Sequence, residues 1–241
     1  MRFPPSRELN PMHSTPDNLK VLYEDNHMIV VNKRSGDIVQ GDKTGDAPLS
    51  EIVKKYIARK YNKPGAVFLG VVHRLDRPTS GIVVFARTSK ALTRLNKLFA
   101  ERQTQKTYWA IVKKAPLSAS GTLTHFLKRN TKQNKSYAFA KAVPDSKKAV
   151  LDFKLIKKLK TFSLLQIELH TGRHHQIRSQ LTAIGSPIKG DLKYGAARSN
   201  ADGSIGLHAR KLSFIHPVKK EKMTFIAPVP KGDAIWEACE D

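Results

Sequence analysis

One aspartate stands alone in a basic part of the chain. The stretch "VHRLDRPTSGIVVFAR" places Asp76 between Arg74 and Arg77, after an apolar run and before a Pro-Thr-Ser-Gly turn. Catalytic groups are often carried on loops that a rigid scaffold holds. A carboxylate there would be partly desolvated, so a cationic partner must keep it ionised. Asp76 is therefore either a nucleophile or base, or an ion-pair residue that serves only the fold.

A second polar segment, "TGRHHQIR", lies at the start of an expected helix, where anions bind favourably. It contains Arg173, His174, Gln176 and Arg178. An arginine near the core face of an amphipathic helix requires a carboxylate, and Asp76 could supply it. Arg178 could equally be a solvated helix arginine, and the sequence pattern leaves both possibilities open.

Two further side chains, Arg74 and Tyr108, could serve the fold alone. Arg74 lies two residues before Asp76, so in an extended segment both side chains point to the same side. Its guanidinium could stack on a base and bind phosphate, or form a simple salt bridge. Tyr108 lies in the apolar run "KTYWAIVKK", where most tyrosines are core residues with a bonded hydroxyl.

Several familiar sites are missing from the sequence. It has no phosphate-binding G-x-x-x-x-G-K-[ST] loop, no H-E-x-x-H and no cysteine pair, since Cys239 is the single cysteine. His174 and His175 would point about 100° apart on a helix, which suits a shared metal poorly. We therefore predict no metal site. A histidine-dependent RNA hydrolase that uses His174 and His175 is an alternative function.

The charge of the chain indicates a polyanionic partner. The 241 residues carry a net charge of +23 with a pI near 10.2. Residues 106–160 hold fourteen Lys or Arg and two acids, which is about half of that excess. Such a surface favours phosphate contact over a merely solvated face. No apolar run reaches the ~20 residues of a membrane span, and the N-terminus lacks a signal-peptide pattern, so we expect a cytoplasmic protein.

Short strands and a few helices must position these residues. The predicted helices are 46–61, capped by Asp46, 88–103, capped by Thr88 or Ser89, and 171–185, which begins near Thr171 and ends at Gly185. The predicted strands are a hairpin in 19–33, two buried central strands in 66–73 and 81–87, a strand in 106–114, several strands in 120–170, and a strand–turn–strand in 206–228, before a closing helical turn in 233–241.

The helices are scattered among hairpins and do not alternate strictly with strands. This order predicts an α+β fold with a large mixed or antiparallel sheet, and not a doubly wound α/β fold. Residues 1–17 are rich in proline and polar side chains and are expected to form a flexible tail. No long linker divides the remainder, so we expect one catalytic domain over 18–241.

Five segments of the chain resemble the RluA family of pseudouridine synthases. They occur in the family's order and span about residues 18–230. The first, "HRLDRPTSG", matches the family's H-R-L-D-x-x-T-S-G motif at every fixed position. The other four are "KTYWA", "TGRHHQIR", "GDLKYG" and "LHARKLSFIHP".

The resemblance implies a bent mixed sheet with flanking helices and a central RNA-binding cleft. It also implies a reaction without a cofactor, in which a uridine within RNA becomes pseudouridine. By analogy Asp76 is the catalytic aspartate, Tyr108 stacks under the base and could take the C5 proton, and Arg178 pairs with the aspartate. Arg74 would enter the RNA stack in place of the uridine. Arg173, His174 and Gln176 would contact RNA.

The resemblance leaves the RNA open. Many relatives carry a small RNA-binding domain before the catalytic one, whereas about 17 residues precede the first strand here. We expect large-subunit ribosomal RNA, with transfer RNA as a second possibility, and no obligate protein partner or membrane. The alternative function is a non-catalytic RNA-binding or ribosome assembly protein on the same fold, which would not require Asp76, Tyr108 and Arg178 together.

Overall fold

A computed structural model describes residues 13–41 and 45–240. The strands in these residues are β1 (Val21–Glu24), β2 (Met28–Lys33), β3 (Gly70–Val71), β4 (Ser80–Ala86), β5 (Gln105–Val112), β6 (Ser120–Asn130), β7 (Lys135–Phe139), β8 (Lys147–Lys158), β9 (Ser163–Leu169), β10 (Leu207–Ile215) and β11 (Lys222–Ile226). The helices are α1 (Leu49–Lys60), α2 (Ser89–Ala100), α3 (Gln176–Ala183) and α4 (Ala234–Glu240), with a 3₁₀ turn at Leu192–Tyr194.

The strands form one mixed sheet, which confirms the predicted α+β class. Its main path runs β1-β2-β4-β10-β5-β9-β8-β6-β7, with β11 beside β10 and β3 beside β4. Among these strand pairs, only β4 with β10 is parallel, and its ladder holds two residue pairs, His208 with Ser80 and Ala209 with Gly81. Gly81 has a φ of +116°, and a Cβ there would collide with the backbone of Ala209. Glycine is therefore required where the two halves of the sheet join.

The burial of β2 shows how the sheet is covered on both faces. Met28 and Val30 pack in a cluster with the apolar face of α2, whereas Ile29 and Val31 pack in another with α1. Alternate residues of a strand point to opposite faces, so every residue of β2 is buried. A third cluster joins β5, β8 and β9 to the inner face of α3. The helices thus fix the central strands from both sides.

Two predicted helix starts are wrong. Helix α1 begins at Leu49 with Pro48 as its N-cap, and Asp46 instead forms an ion pair of 2.5 Å with Arg77. Helix α3 begins at Gln176, not near Thr171, because His175 adopts a left-handed φ of 51° that a helix cannot continue through. The cap of α2 is confirmed, since Thr88 accepts the Ala91 N–H.

One predicted central strand is also wrong. Of residues 66–73, only Gly70 and Val71 pair as a strand, antiparallel to Ala86 and Phe85. Gly70 pairs with Ala86, where β4 ends, so the residues before Gly70 have no strand edge to extend along. The run is apolar because its side chains still pack against the α1 cluster. The other predicted hairpins and strands, and the closing helical turn, are present.

The ends of the predicted domain can be described only in part. The tail prediction covers residues 1–17, of which 1–12 lie outside the described residues. Ser14 is buried, and its backbone N–H and hydroxyl donate to the Asp37 carboxylate at 3.0 and 2.6 Å. The chain is therefore attached to the fold at Ser14. No helix of the described chain has the length and apolar character to cross a membrane.

Candidate active site

An open cleft of about 1100 Å³ crosses the molecule beside the joint between β4, β10 and β5. Every side chain that the sequence predicts for the functional site lines this cleft. These residues are Arg74, Asp76, Tyr108, Arg173, His174, Gln176 and Arg178. They come from three distant segments, which the sheet brings to a common surface.

Asp76 lies on the loop that leads into β4. The Thr79 N–H donates to the Asp76 carbonyl at 3.0 Å and closes the turn. The next carbonyl, that of Arg77, accepts bonds from the Gly36 N–H at 2.9 Å and from Lys33 Nζ at 3.1 Å. The Asp76 side chain keeps 30% of its surface exposed. A fixed backbone therefore presents a partly solvated carboxylate to the cleft.

Lys33 is a buried cation that the sequence analysis missed. It is 1% exposed, and its Nζ donates to the Arg34 carbonyl at 2.8 Å as well as to that of Arg77. Burial lowers the pKa of Lys33 to about 7, against the opposing fields of Asp37 and Asp76. It ends the apolar run "MIVVNK", a position that by itself indicates only a strand end.

Lys33→Met is expected to change how stability depends on pH. Between pH 7 and the ordinary lysine range the unfolded chain binds a proton that folded Lys33 does not, so the free energy of unfolding rises with pH. Between pH 7 and 9.5, the free energy of unfolding of the wild type should rise by up to about 3 kcal/mol more than that of Lys33→Met. Urea unfolding of both proteins at the two pH values measures this difference. A constant difference between them would contradict the assigned pKa.

Arg178 connects the cleft to a second carboxylate. Its Nη1 donates to Asp76 Oδ2 at 3.0 Å, so the ion pair predicted between these residues is present. Its Nε and Nη2 donate to Asp191 Oδ2 and Oδ1 at 2.7 and 2.8 Å. Asp191 is 1% exposed and Arg178 is also buried. The bidentate pair fixes the guanidinium plane, and the remaining nitrogen then positions Asp76.

The Asp76 partner is thus neither of the arginines beside it in the sequence. Arg77 pairs with Asp46, and Arg74 is exposed on the cleft wall. Asp191 was not identified from the sequence, although it lies in "GDLKYG". Its acidic type within a Gly-bounded segment was the available signal.

From the sequence, His175 is a candidate only for the hydrolase alternative. The structure places it beside Arg178, and its hydrogen bonds define its protonation. Its Nε2 lies 3.1 Å from Arg178 Nη1, which can only donate, so Nε2 accepts. Its Nδ1 then carries the proton and donates to the Tyr194 hydroxyl at 3.0 Å. Burial first, and then the charge of Arg178, lowers the pKa of His175 to about 2. The 3.5 Å approach of Nε2 to Asp76 is consequently not an ion pair.

Tyr194 completes this network. Its hydroxyl accepts the Ser136 N–H at 2.8 Å and donates to the Ser136 carbonyl at 3.2 Å. With the bond from His175, every donor and acceptor in this chain of contacts has a partner. Arg178 is therefore connected through His175 and Tyr194 to the backbone of β7.

His175→Ala is expected to slow the reaction about tenfold to a hundredfold and to destabilise the fold by about 1–3 kcal/mol, because it leaves buried polar groups of Arg178 and Tyr194 unpaired. His170→Ala is the matched control, since His170 bonds Asp152 and does not line the cleft. The ¹⁵N shifts of His175 should report a neutral ring with Nδ1 protonated from pH 8 down to pH 5. A titration in that range would contradict the assignment.

Tyr108 lies on β5 between Ala209 of β10 and Ile167 of β9. It is half-buried at the cleft. Burial, and then the charge of Asp76, raises the pKa of its phenol above the ordinary value. The hydroxyl therefore stays protonated at neutral pH, and the ring offers a flat surface close to the carboxylate.

The remaining predicted contacts differ in how accessible they are. Arg173 Nε donates to the Lys148 carbonyl at 3.2 Å, and His174 stacks on His175 with ring centroids 3.8 Å apart. Gln176 is 3% exposed, and its amide bonds Thr171, the Arg173 N–H and the Val150 carbonyl. These contacts favour a role in holding the loop before α3. Contact of Gln176 with RNA stays a prediction.

His73, the first residue of "HRLDRPTSG", serves the fold. Its Nε2 accepts the Val84 N–H at 3.1 Å, and its ring stacks on Phe99. Burial lowers its pKa to about 3, so it stays neutral and accepts this bond. Among the described residues no group of three metal-ligating side chains converges.

Comparisons with known proteins show the family to which this chain belongs. The model of the family RNA pseudouridylate synthase matches residues 27–183. Ribosomal large subunit pseudouridine synthase D of Xanthomonas campestris pv. campestris is 34% identical over 234 residues, which cover 91% of this chain and 69% of that protein. The protein with the same name from Zymomonas mobilis is 34% identical over 235 residues, covering 92% and 73%.

A solved structure shows the same fold. Human RNA pseudouridylate synthase domain containing 1 superposes with a TM-score of 0.71 at 24% identity, covering 94% of this chain and 89% of that one. The matched family segment includes Asp76, Tyr108 and Arg178, which the cleft brings together. The chain belongs to the RluA-type branch of the RNA pseudouridylate synthase family and is an RNA pseudouridine synthase.

Proposed function

We propose that the protein converts a specific uridine of large-subunit ribosomal RNA to pseudouridine, with Asp76 as the catalytic residue. The observation that carries this proposal is the Asp76 carboxylate, exposed to a basic cleft and held by a buried arginine. The names of the relatives from Xanthomonas and Zymomonas support ribosomal RNA as the substrate class. Transfer RNA is the second candidate.

The reaction requires the target nucleotide to leave the RNA stack. Flipping a base into a pocket costs a few kcal/mol, which contacts to phosphates and stacking offset. We assign Arg74, exposed on the cleft wall, to the place that the base vacates. Arg173 and His174 would contact the RNA beside it. Tyr108 would stack under the flipped uracil.

The isomerisation is balanced without a cofactor. The bond from N1 to C1′ breaks, the uracil turns, and C5 forms a bond to C1′. C5 loses a proton and N1 gains one. Asp76 either attacks C1′ and is displaced when C5 bonds to C1′, or removes the proton at C2′ and returns it after that bond has formed. Both routes need an ionised carboxylate. Arg178 supplies the positive charge that keeps it so.

Loss of the C5 hydrogen provides the test. RNA transcripts containing uridine with tritium at C5 are incubated with the purified protein, and tritium released to water is measured. We expect release from an unmodified large-subunit ribosomal RNA transcript and none from a transfer RNA pool. Release from transfer RNA alone would overturn the proposed substrate, and no release from either RNA would overturn the proposed activity.

A further inference from the structure

A second, smaller pocket adjoins the cleft. Its volume is about 370 Å³, and it shares His13, Gly36 and Asp202 with the lining of the cleft. The loop after β2 forms one wall, and the segment after β11 forms another. None of the residues that are specific to this pocket takes part in the proposed reaction.

Four basic side chains are among the residues that line the pocket. Lys20, Lys33, Arg34 and Lys231 face it from three separate segments, and Asp202 is the carboxylate in the lining. Asp202 Oδ1 already accepts bonds from the Ser204 N–H and hydroxyl at 3.0 and 2.6 Å.

The cations are close enough to affect one another. Burial, and then the charges of Arg34 and Lys231, lowers the pKa of Lys20. No ion pair joins Lys20 or Lys231 to an acid within the part of the chain that the structure describes. Like charges that converge around an open pocket are stabilised by an anion placed between them.

The same loop touches the backbone of the catalytic segment. Lys33 and the Gly36 N–H both donate to the carbonyl of Arg77, one residue from Asp76. Any ligand that fills both cavities would thus continue from the carboxylate toward Lys20 and Lys231. An RNA strand is such a ligand, because its phosphates repeat along the backbone.

We propose that this pocket binds a backbone phosphate of the substrate RNA, adjacent to the flipped nucleotide. The inference rests on the proposed function and extends it to a defined phosphate site of Lys20 and Lys231. The bound phosphate would hold the strand while the target base leaves its stack. A free phosphate group has the same chemistry, and the experiment separates the two sources.

The test compares two double variants that remove the same charge. Lys20→Gln/Lys231→Gln alters the pocket, whereas Lys55→Gln/Lys90→Gln alters exposed lysines of α1 and α2 that line neither cavity. Affinity for the large-subunit ribosomal RNA transcript is measured from 50 to 300 mM salt. We expect the pocket variant to bind about tenfold more weakly at 100 mM salt, with a salt slope smaller by about two. The control variant should change much less in RNA affinity, and its tritium release at saturating RNA should be unaffected.

Three results would overturn the inference. Equal weakening in both double variants would assign the effect to net charge. Unchanged RNA affinity in the pocket variant, with tritium release intact in the wild type, would remove the phosphate site and leave the proposed function standing. Saturable binding of inorganic phosphate below 1 mM that the pocket variant loses, without loss of RNA affinity, would assign the pocket to a free anion. Failure of the proposed function would appear separately, as a wild type that releases no tritium.

Discussion

Asp76→Asn is expected to slow pseudouridine formation by at least about 10³-fold while RNA affinity changes less than about threefold. The amide has nearly the shape of the carboxylate but neither its charge nor its nucleophilic or basic oxygen. Arg178 keeps its bidentate bonds to Asp191, so the fold should tolerate the change. Single-turnover tritium release and a binding titration measure the two effects.

Asp17→Asn is the matched control for this variant. Asp17 is an exposed carboxylate that pairs with Arg59 at 2.9 Å and does not line the cleft. The same chemical change there should leave the rate within about twofold, since surface ion pairs contribute little. An Asp76→Asn protein that reacts at a rate comparable with this control would show that the aspartate serves the fold alone.

Arg178→Gln is expected to lower the free energy of unfolding by about 3–5 kcal/mol and to abolish activity. Asp191 is almost fully buried, and this substitution would leave it as an unpaired charge. Asp76 would lose its cation at the same time. Urea denaturation measures the stability, with Arg59→Gln as an exposed control that should cost less than about 1 kcal/mol.

Adding Asp191→Asn to Arg178→Gln should restore part of the lost stability but none of the activity. The double variant no longer buries an unpaired carboxylate, yet Asp76 still has no positive partner. This cycle separates the structural role of the buried pair from its role in the cleft. Strictly additive stability losses would mean that Arg178 and Asp191 do not act as a pair.

Local patterns predicted most elements of the fold, because alternation and helical periodicity depend on neighbouring residues. The wrong predictions concern segments whose structure depends on contacts with residues distant in the sequence or on an unusual backbone conformation. Residues 66–69 look like a central strand but β4 ends before they could pair with it. Helix α3 starts at Gln176 because His175 adopts a left-handed backbone conformation, which the sequence pattern does not reveal.

The residues of the site also include some that could be predicted from the sequence and some that could not. Asp76 and Arg178 are 102 residues apart, and only the family resemblance selected one partner among several arginines. Lys33, His175 and Asp191 act through contacts that no local pattern encodes. The sequence does not show that the lysine and the aspartate are buried or that the histidine has a left-handed backbone. Their roles follow from the hydrogen bonds that they form in the folded chain.

Mapping pseudouridines in cellular RNA tests the catalytic role of Asp76 most directly. The cells lack this gene and carry either the wild-type or the Asp76→Asn protein at equal levels. We predict that deletion removes at least one pseudouridine from large-subunit ribosomal RNA, that the wild-type protein restores it, and that Asp76→Asn does not. Restoration of that pseudouridine by Asp76→Asn to the wild-type extent would contradict the assignment of Asp76 as the catalytic residue.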